Sequence, residues 1–428
     1  MTSPRPSLRS LLCLLTYLAR VRAFIPQTQC DLSPLDPLIH RSTTCPLPIH
    51  ESSPDTPNIP WTTPPRCVVP HSIGLGQKFC LYTDAAFNLG TGISVLTLED
   101  HAASLVGAIS DPIPAWTARG HLARRGKRDP DYEKHVPYRE VAMEGKGRGI
   151  VATRRISRYE TIMVGYPAMI IDNTFLPAEG VEAPVENWRM FDHALEQLSD
   201  KERFLVAAYS KGDDVHVVED VLRTNAFGFA IEERDAKAFF PEIARINHAC
   251  SPNAYPQMIM KDLGMRAVAT RDIEIGEEIS ISYIQIGMPK RHRTASMGNW
   301  GFNCTCSLCA LEPEEQHASD DRRERLADIY DLMNKQKTTA KLGALRELAA
   351  EFEELVELEQ LGVRWGEYYQ LFMVIFFHAG DVDAAIRYGN LSLRHSEIFG
   401  DPDGVFCNGV RRDMKILDQV KRQKAGGG

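Results

Sequence analysis

The sequence predicts an α+β protein in which a β-rich domain is followed by an all-α domain. Between Tyr138 and Tyr283, short runs of β-branched residues are broken by glycines, which is typical of strands joined by tight turns. After Glu312, apolar residues recur at helical spacing, as they do in amphipathic helices. The length of 428 residues gives room for two or three domains, since a single core rarely grows beyond about 250 residues.

Strands are predicted where β-branched residues are most frequent in the middle of the chain. The predicted strands are Gly149–Ala152, Thr161–Ile171, Met265–Ala269 and Glu278–Tyr283. Apolar residues near helical spacing predict one helical insert among them, from about Asp192 to Tyr209. This domain is therefore expected to consist mainly of short strands.

Helical hairpins are predicted in the C-terminal region. Helical spacing of apolar residues runs from Leu326 to Met333 and again from Leu345 to Leu355. Two further helices are expected at about Trp365–His378 and Asp383–Phe399, and Ala379-Gly380-Asp381 between them supplies a helix stop and a new N-cap. The pattern is similar to tetratricopeptide repeats, although no period of about 34 residues supports a true repeat array.

The N-terminus resembles a secretory signal peptide over residues 1–23. Arg5 and Arg9 precede an apolar run from Leu11 to Ala19, and Val21-Arg22-Ala23 offers a cleavage site between small residues. An ordinary amphipathic or disordered N-terminus fits the same residues, so both interpretations stay open. Only the first of them implies entry into the secretory pathway.

Residues 24–128 form a Pro/Ser/Thr-rich N-terminal region. Its first part, to about Pro70, favours extended or irregular structure, whereas the segment from Phe79 to Leu105 is expected to add a small ordered piece. The region ends in a basic run at residues 124–128. A nuclear-localisation patch, a processing site in an exported precursor and a solvated linker are all open interpretations of this run.

Charge and hydropathy argue against some classes of function. A net charge of −8 does not suit a nucleic-acid polycation, so no direct nucleic-acid binding is predicted. A basic peptide such as a histone tail would be a better partner. The strongest apolar run, Leu371 to Phe377, is far shorter than the roughly 20 residues of a transmembrane helix, so no membrane span is predicted.

The cysteines fall into two separated groups that predict different chemistry. Cys30, Cys45, Cys67 and Cys80 could form two disulfides if the chain is exported. The second group has metal-site spacing, because Cys-x-Cys-x-x-Cys offers three thiolates to a tetrahedral Zn²⁺ and another cysteine completes the set. Its members are Cys250, Cys304, Cys306 and Cys309. Free or disulfide-bonded thiols are the alternative.

Three motifs together resemble a SET-domain protein-lysine methyltransferase. They read Arg-Ile-Asn-His-Ala-Cys-Ser-Pro-Asn from Arg245 to Asn253, Gly-Glu-Glu-Ile-Ser-Ile-Ser-Tyr from Gly276 to Tyr283, and Cys-x-Cys-x-x-Cys from Cys304 to Cys309. The resemblance extends from about Tyr138 to Cys309. It departs from the family at Ala249, where serine is usual.

The resemblance implies a domain arrangement. A β-rich, pseudo-knotted SET domain is expected at residues 129–284, a post-SET zinc clasp at 285–311 and a helical, tetratricopeptide-like domain at 312–428. In the family, the cysteine of the Asn-His-x-Cys motif, here Cys250, joins the three post-SET cysteines. The chain lacks the cysteines of a MYND finger within the domain, so it resembles a fungal-type relative without that finger.

The resemblance also implies a site for S-adenosyl-L-methionine. In the family, a glycine-rich stretch approaches this cofactor through its backbone, the Asn-His pair binds it, and a tyrosine stands beside the methyl group as the catalytic residue, here Tyr283. The implied cofactor-binding residues are Gly147, Arg148, Gly149, Asn225, Asn247, His248, Tyr283 and Phe302. Ordinary turns at the glycines and at Asn225 are the alternatives.

The implied activity is S-adenosylmethionine-dependent N-methylation of a lysine in a protein or peptide, with histones among the candidates. Phe227, Phe229 and Tyr255 are candidates for a lysine channel and equally for the core. The alternative function is a non-catalytic SET scaffold that binds partner proteins, although a scaffold has no chemical need for the Tyr283 hydroxyl. Family members usually act in the nucleus or cytoplasm, whereas a signal peptide would send the chain to the secretory pathway.

Overall fold

The prediction of an α+β protein is confirmed. The computed structural model describes residues 60–70, 76–110, 136–176, 185–207, 216–231, 234–300, 302–335, 341–363, 365–400 and 402–426. Strands cluster before residue 285 and long helices follow. The predicted signal peptide, Cys30, Cys45 and the basic run at 124–128 lie outside the described residues.

The strands of the described residues are short and form three sheets. In chain order they are β1 (Arg66–Val68), β2 (Phe79–Asp84), β3 (Ile93–Leu98), β4 (Tyr138–Met143), β5 (Gly147–Ala152), β6 (Thr161–Gly165), β7 (Met169–Asp172), β8 (Phe227–Ile231), β9 (Arg234–Phe239), β10 (Asn247–His248), β11 (Ala254–Ile259), β12 (Gly264–Ala269) and β13 (Glu278–Ile281). The sheets have the orders β1-β2-β3-β7-β9-β8, β10-β13-β5-β4 and β11-β12-β6.

The six-stranded sheet unites distant parts of the chain. Its strand β3 pairs in parallel with β7, whereas the other neighbouring strands run antiparallel. Strands from the N-terminal region therefore share a sheet with strands of the middle region, on both sides of the predicted boundary at residue 128. Cys67 and Cys80 are direct partners across β1 and β2 and form a disulfide.

The prediction of one strand from Thr161 to Ile171 is wrong. Strand β6 ends at Gly165, β7 begins at Met169, and the two belong to different sheets. Pro167 lies in the break, where its missing N–H cannot contribute to a ladder. The continuous apolar run concealed this change of sheet.

The longer helices lie between the strands and after them. They are α1 (Glu99–Ser110), α2 (Val185–Glu196), α3 (Lys201–Ala207), α4 (Val217–Thr224), α5 (Lys290–Met297), α6 (Pro313–Lys335), α7 (Leu342–Leu358), α8 (Gly366–His378), α9 (Val382–Phe399) and α10 (Val405–Gly426). Among the described residues, no helix combines the length and the apolar character that crossing a bilayer requires.

The predicted helical insert from Asp192 to Tyr209 is not one continuous helix. Helix α2 begins earlier than predicted and ends at Glu196, and α3 then starts after a break. Asp200 Oδ1 accepts a hydrogen bond from Arg203 N at 3.0 Å, which caps the start of α3. Residues 208–215 lie outside the described part of the chain.

The four predicted C-terminal helices are confirmed as α6 to α9. Between α8 and α9, Gly380 has a φ of 84°, and Asp381 Oδ1 accepts a hydrogen bond from Ala384 N at 3.1 Å. The predicted helix stop and N-cap are therefore present. Helix α10 was not predicted, because its few apolar positions are spread among charged residues.

The helical region packs directly on the β-rich region. Tyr255 of β11 and Phe399 of α9 meet edge to face, with ring centroids 5.9 Å apart. Arg266 of β12 donates hydrogen bonds to the main-chain oxygens of Glu397 and Ile398 at 3.2 and 3.0 Å. Apolar and polar contacts together fix the end of α9 against the strands.

A buried ion pair joins α6 to the end of α7. The Glu359 carboxylate accepts hydrogen bonds from Arg322 at 2.6 Å, Arg323 at 2.8 Å and Ser319 Oγ at 2.7 Å. The Arg323 and Glu359 side chains are 0% and 3% exposed. Burial lowers the pKa of the Arg323 guanidinium, and the Glu359 carboxylate opposes that shift.

We predict that Glu359→Gln lowers the free energy of unfolding of the helical region by about 3 kcal/mol, because it leaves a buried arginine without its counter-charge. Urea denaturation measures the loss. Glu351→Gln is the matched control, since Glu351 joins the same two helices through Arg325 but both side chains are more than a third exposed. It should cost less than about 1 kcal/mol. Equal losses in the two variants would contradict the prediction.

Candidate functional site

One sheet brings the glycine-rich stretch together with the Asn-His motif and the motif that ends at Tyr283. Strand β10, which carries Asn247 and His248, pairs in parallel with β13, and β13 pairs antiparallel with β5. Asn247 lies opposite Ser280 in the first pair. The glycine-rich stretch, the Asn-His pair and the strand leading to Tyr283 are therefore neighbours, although about 100 residues of chain separate the first two.

Gly149 is required by the side chain of Asn247. A Cβ atom on Gly149 would stand 2.4 Å from Asn247 Nδ2 and 2.4 Å from Met143 Sδ, closer than any ordinary contact. Asn247 Nδ2 also donates a hydrogen bond to Glu278 Oε1 at 3.1 Å. The other oxygen of Glu278 pairs with Lys146 Nζ at 2.7 Å. The lack of a side chain at Gly149 and the hydrogen bond to the Glu278 carboxylate thus orient the Asn247 amide over β5.

The glycine-rich stretch forms the turn between β4 and β5. Gly145 and Gly147 have φ values of 69° and 71°, which favour glycine over residues with a side chain. The Arg148 side chain is exposed and pairs with Glu140 of β4. The positive φ angles therefore agree with a tight turn between two strands. The cofactor roles of Gly147, Arg148 and Gly149 stay predictions.

Tyr283 lies just beyond the end of β13. Its hydroxyl donates a hydrogen bond to the Ile246 carbonyl at 2.8 Å, and its backbone N–H donates to His248 Nδ1 at 3.0 Å. Burial, and then the negative charge of Glu278, raises the pKa of the Tyr283 hydroxyl. The hydroxyl is therefore protonated at neutral pH, and this state is lost only as pH rises above the ordinary tyrosine pKa of about 10.

The four cysteines of the second group converge on one point. Their sulfur atoms all lie within 4.8 Å of one another. Cys250 Sγ is 3.8 Å from Cys304 Sγ and 3.6 Å from Cys309 Sγ. A tetrahedron of Zn–S bonds of about 2.3 Å has edges of roughly 3.8 Å. The donor set and its spacing therefore fit a structural Zn²⁺ held by Cys250, Cys304, Cys306 and Cys309.

The cysteine cluster also shows part of the charge distribution that a metal site needs. Contact with Cys250 lowers the pKa of the Cys304 thiol and lowers that of Cys306 to about 5, whereas contact with Cys304 raises the pKa of Cys250, so the negative charge lies on only part of the cluster. Cys250 N donates to Cys306 Sγ at 3.4 Å. Thiolates are the form that binds Zn²⁺, and N–H donors stabilise them.

Aromatic rings connect Tyr283 to the cysteine segment. Trp300, which sequence reasoning missed, has its ring centroid 5.1 Å from that of Tyr283. Phe302 lies 6.1 Å from His248 and is 41% exposed. The feature of the sequence that could have identified Trp300 is its position two residues before Phe302. The role of Phe302 toward a cofactor stays a prediction.

A cavity of about 360 Å³ lies beside the cysteine cluster. Cys250, Cys304, Arg293 and Phe302 are among its lining residues, which do not include Asn247 or Tyr283. Arg293 is 2% exposed and donates to the Met288 carbonyl at 2.7 Å. The cavity therefore borders the cysteine cluster and Phe302, away from Asn247 and Tyr283.

The other predicted site residues lie in ordinary structural surroundings. Asn225 ends α4, where its N–H donates to the Val221 carbonyl at 2.8 Å and its amide donates to Thr224 Oγ1 at 2.9 Å. Phe227 and Phe229 are buried in the core cluster against which Tyr283 also packs. Tyr255 belongs to a separate cluster with Phe399. The core interpretation fits Tyr255 better than a channel.

A model of the SET domain family matches residues 147–284. This range begins at the glycine turn and ends immediately after Tyr283. It contains β5, β10 and β13, which are three of the four strands of their sheet. The matched residues thus include each of the predicted catalytic and cofactor-binding positions except Phe302.

Similar proteins with established names include lysine methyltransferases. The chain is 26% identical over 199 residues to N-lysine methyltransferase SMYD2-A of Danio rerio, covering 41% of this chain and 45% of that protein. It is 36% identical over 107 residues to histone-lysine N-methyltransferase set5 of Schizosaccharomyces pombe, covering 24% and 34%. For histone-lysine N-methyltransferase ATXR2 of Arabidopsis thaliana, identity is 42% over 74 residues, covering 17% and 16%. The chain spans less than half the length of these three relatives.

We predict that the purified chain holds about one zinc ion, because four thiolates satisfy its tetrahedral preference. Cys309→Ser should lose most of this zinc, as measured by inductively coupled plasma mass spectrometry. Cys407→Ser is the control, since Cys407 is buried in α10, away from the cluster. A metal-free wild-type protein, or equal loss in both variants, would show that the cluster is not a zinc site.

Proposed function

Since the chain carries a SET domain of the protein-lysine methyltransferase family, we propose that it transfers a methyl group from S-adenosylmethionine to a lysine of a protein or peptide. The observation that carries this proposal is the position of Tyr283. Its hydroxyl is fixed on the Ile246 carbonyl, directly beside the strand that bears Asn247 and His248. A non-catalytic scaffold gives no reason for a tyrosine hydroxyl at that position.

The direction of the Tyr283 hydrogen bond has a chemical consequence. Because the O–H donates to the Ile246 carbonyl, the oxygen keeps its lone pairs as acceptors. Such an acceptor can hold the polarised C–H bonds of a sulfonium methyl group and the N–H of an incoming amine. The raised pKa keeps the hydroxyl neutral, so its hydrogen bond to Ile246 persists across the neutral pH range.

Asn247 over β5 is a candidate for contact with the cofactor. Gly149 leaves the space that the Asn247 amide occupies, and the Asn247 side chain is only half-buried. Bound S-adenosylmethionine supplies a methyl group on a positively charged sulfur. Asn247 and the backbone of β10 would bind it, while Glu278 keeps the Asn247 amide oriented.

Alignment of the substrate amine supplies most of the expected rate enhancement. Trp300 and the Tyr283 ring form apolar surface beside the hydroxyl, and exclusion of water there lowers the pKa of a lysine amine. A nearby positive sulfur has the same effect. A dedicated general base is then unnecessary, because the lysine reaches the site as the neutral amine. The zinc clasp would hold Trp300 and Phe302 in place and take no part in the chemistry.

We predict that Tyr283→Phe lowers kcat for lysine methylation by roughly 100-fold, or changes the number of methyl groups added, since it removes one preorganised acceptor. Methylation of a peptide or proteome array followed by mass spectrometry measures both. Tyr255→Phe is the matched control, because Tyr255 packs against Phe399 in a separate cluster. Unchanged activity of Tyr283→Phe would mean that the catalytic residue is misassigned. Loss in Tyr255→Phe would reinstate Tyr255 as a channel residue.

We predict that Gly149→Ala weakens S-adenosylmethionine binding by about 10- to 100-fold while the protein stays folded. The new Cβ displaces the Asn247 amide from its position for cofactor binding, and overpacking of this kind also lowers the free energy of unfolding by about 1–3 kcal/mol. Calorimetric titration measures the affinity. In Gly228→Ala, the control, a Cβ meets no atom within 4 Å. An unchanged affinity of Gly149→Ala would remove Asn247 from the cofactor site.

A further inference from the structure

The His248 ring makes a specific polar contact on each side. Nδ1 lies 3.0 Å from the backbone nitrogen of Tyr283, and Nε2 lies 3.3 Å from Cys250 Sγ. The ring is 5% exposed, so water does not compete for either nitrogen. One imidazole therefore spans the distance between the predicted catalytic residue and the predicted metal site.

The contact with Tyr283 determines which ring nitrogen carries the proton. A backbone N–H can only donate, so Nδ1 must accept and cannot itself be protonated. In the neutral imidazole the proton is then on Nε2. Nε2–H consequently points at the Cys250 sulfur, which accepts the hydrogen bond.

We propose that His248 is a positioning residue that couples occupancy of the metal site to the placement of Tyr283. Cys250, when bound to the metal, would fix the imidazole through Nε2–H, and the fixed imidazole would hold the Tyr283 backbone through Nδ1. Groups that hydrogen-bond a metal ligand commonly change metal affinity by 10- to 100-fold. This role differs from cofactor contact through the backbone of β10. The effect of His248 on catalysis rests on the proposed function, whereas the coupling between the metal site and the Tyr283 backbone does not.

Ring packing is the competing explanation. The His248 ring lies 5.3 Å from Tyr283 and 6.1 Å from Phe302, so an apolar ring of the same size would fill the space equally well. Packing predicts no dependence on the ring nitrogens. Coupling predicts that loss of the Nε2 contact weakens metal binding and that loss of the Nδ1 contact speeds hydrogen exchange of the Tyr283 amide.

Three variants at one position separate the two nitrogens. His248→Asn places an amide oxygen near Nδ1 and removes the Cys250 contact, whereas His248→Gln reaches towards Cys250 with its amide nitrogen and gives up the Tyr283 contact. His248→Phe keeps the ring without either contact. Metal affinity is measured by Co²⁺ substitution, through the thiolate charge-transfer absorption and chelator competition. The Tyr283 contact is measured by hydrogen exchange of its amide in ¹⁵N-tyrosine-labelled protein.

We expect His248→Asn to weaken metal binding roughly 10- to 100-fold and to keep Tyr283 amide protection. His248→Gln should keep metal affinity and lose the protection of the Tyr283 amide. Removal of the metal from wild-type protein should speed hydrogen exchange of the Tyr283 amide. His395→Asn is the control, because His395 also packs against aromatic rings, those of Tyr369 and Phe399, but lies in α9. It should change neither measurement.

The proposal is wrong if His248→Phe leaves metal affinity and Tyr283 exchange unchanged, or if the Asn and Gln variants lose both properties equally. If His248→Phe fails to fold, the comparison of the Asn and Gln variants still decides. Neither measurement uses cofactor or substrate. If the His248 variants show no coupling, the proposed methyl transfer is unaffected. If the wild-type protein has no methyltransferase activity, the coupling through His248 can still be measured.

Discussion

The two-residue parallel pairing of β10 with β13 is the constraint on which the site depends. It places Asn247 beside Ser280 and His248 beside Ile281, and Ala249 N continues the ladder to the Ile281 carbonyl at 2.9 Å. From this register the Asn247 side chain faces β5 and Glu278, whereas His248 faces Tyr283. Cys250 follows at the position where the other three cysteines converge. A shift by one residue would reverse every one of these directions.

Local motifs were readable from the sequence because their chemistry depends on residue type and spacing. The Cys-x-Cys-x-x-Cys cluster, the Gly380–Asp381 helix junction and strands β5, β12 and β13 followed from such patterns. The resemblance to SET proteins supplied Cys250 as the fourth ligand. Trp300 and the His248 contacts did not follow, because they depend on which surfaces meet after folding.

Non-local pairing explains the remaining differences. The run from Thr161 to Ile171 has uniform apolar character, yet Pro167 marks the point where the chain passes from one sheet to another. An ordered piece was predicted from Phe79 to Leu105, but its place in the sheet was not, since β3 pairs with β7 more than 70 residues later. Helix α10 likewise depends on burial of a few side chains, among them Cys407, Val410 and Leu417. Periodicity within a segment cannot report partners so distant in the chain.

We propose that the pairing of β10 with β13 places the predicted cofactor residues and the predicted zinc ligands in a single site. Linkage between the two ligands tests this most directly, because coupling of binding free energies is reciprocal. The affinity for S-adenosylmethionine should be measured by calorimetry on the zinc-loaded and the zinc-depleted chain. We predict binding to the zinc-loaded protein that weakens by at least about tenfold on depletion. No binding to the zinc-loaded, folded protein, or equal affinity in both states, would contradict the account.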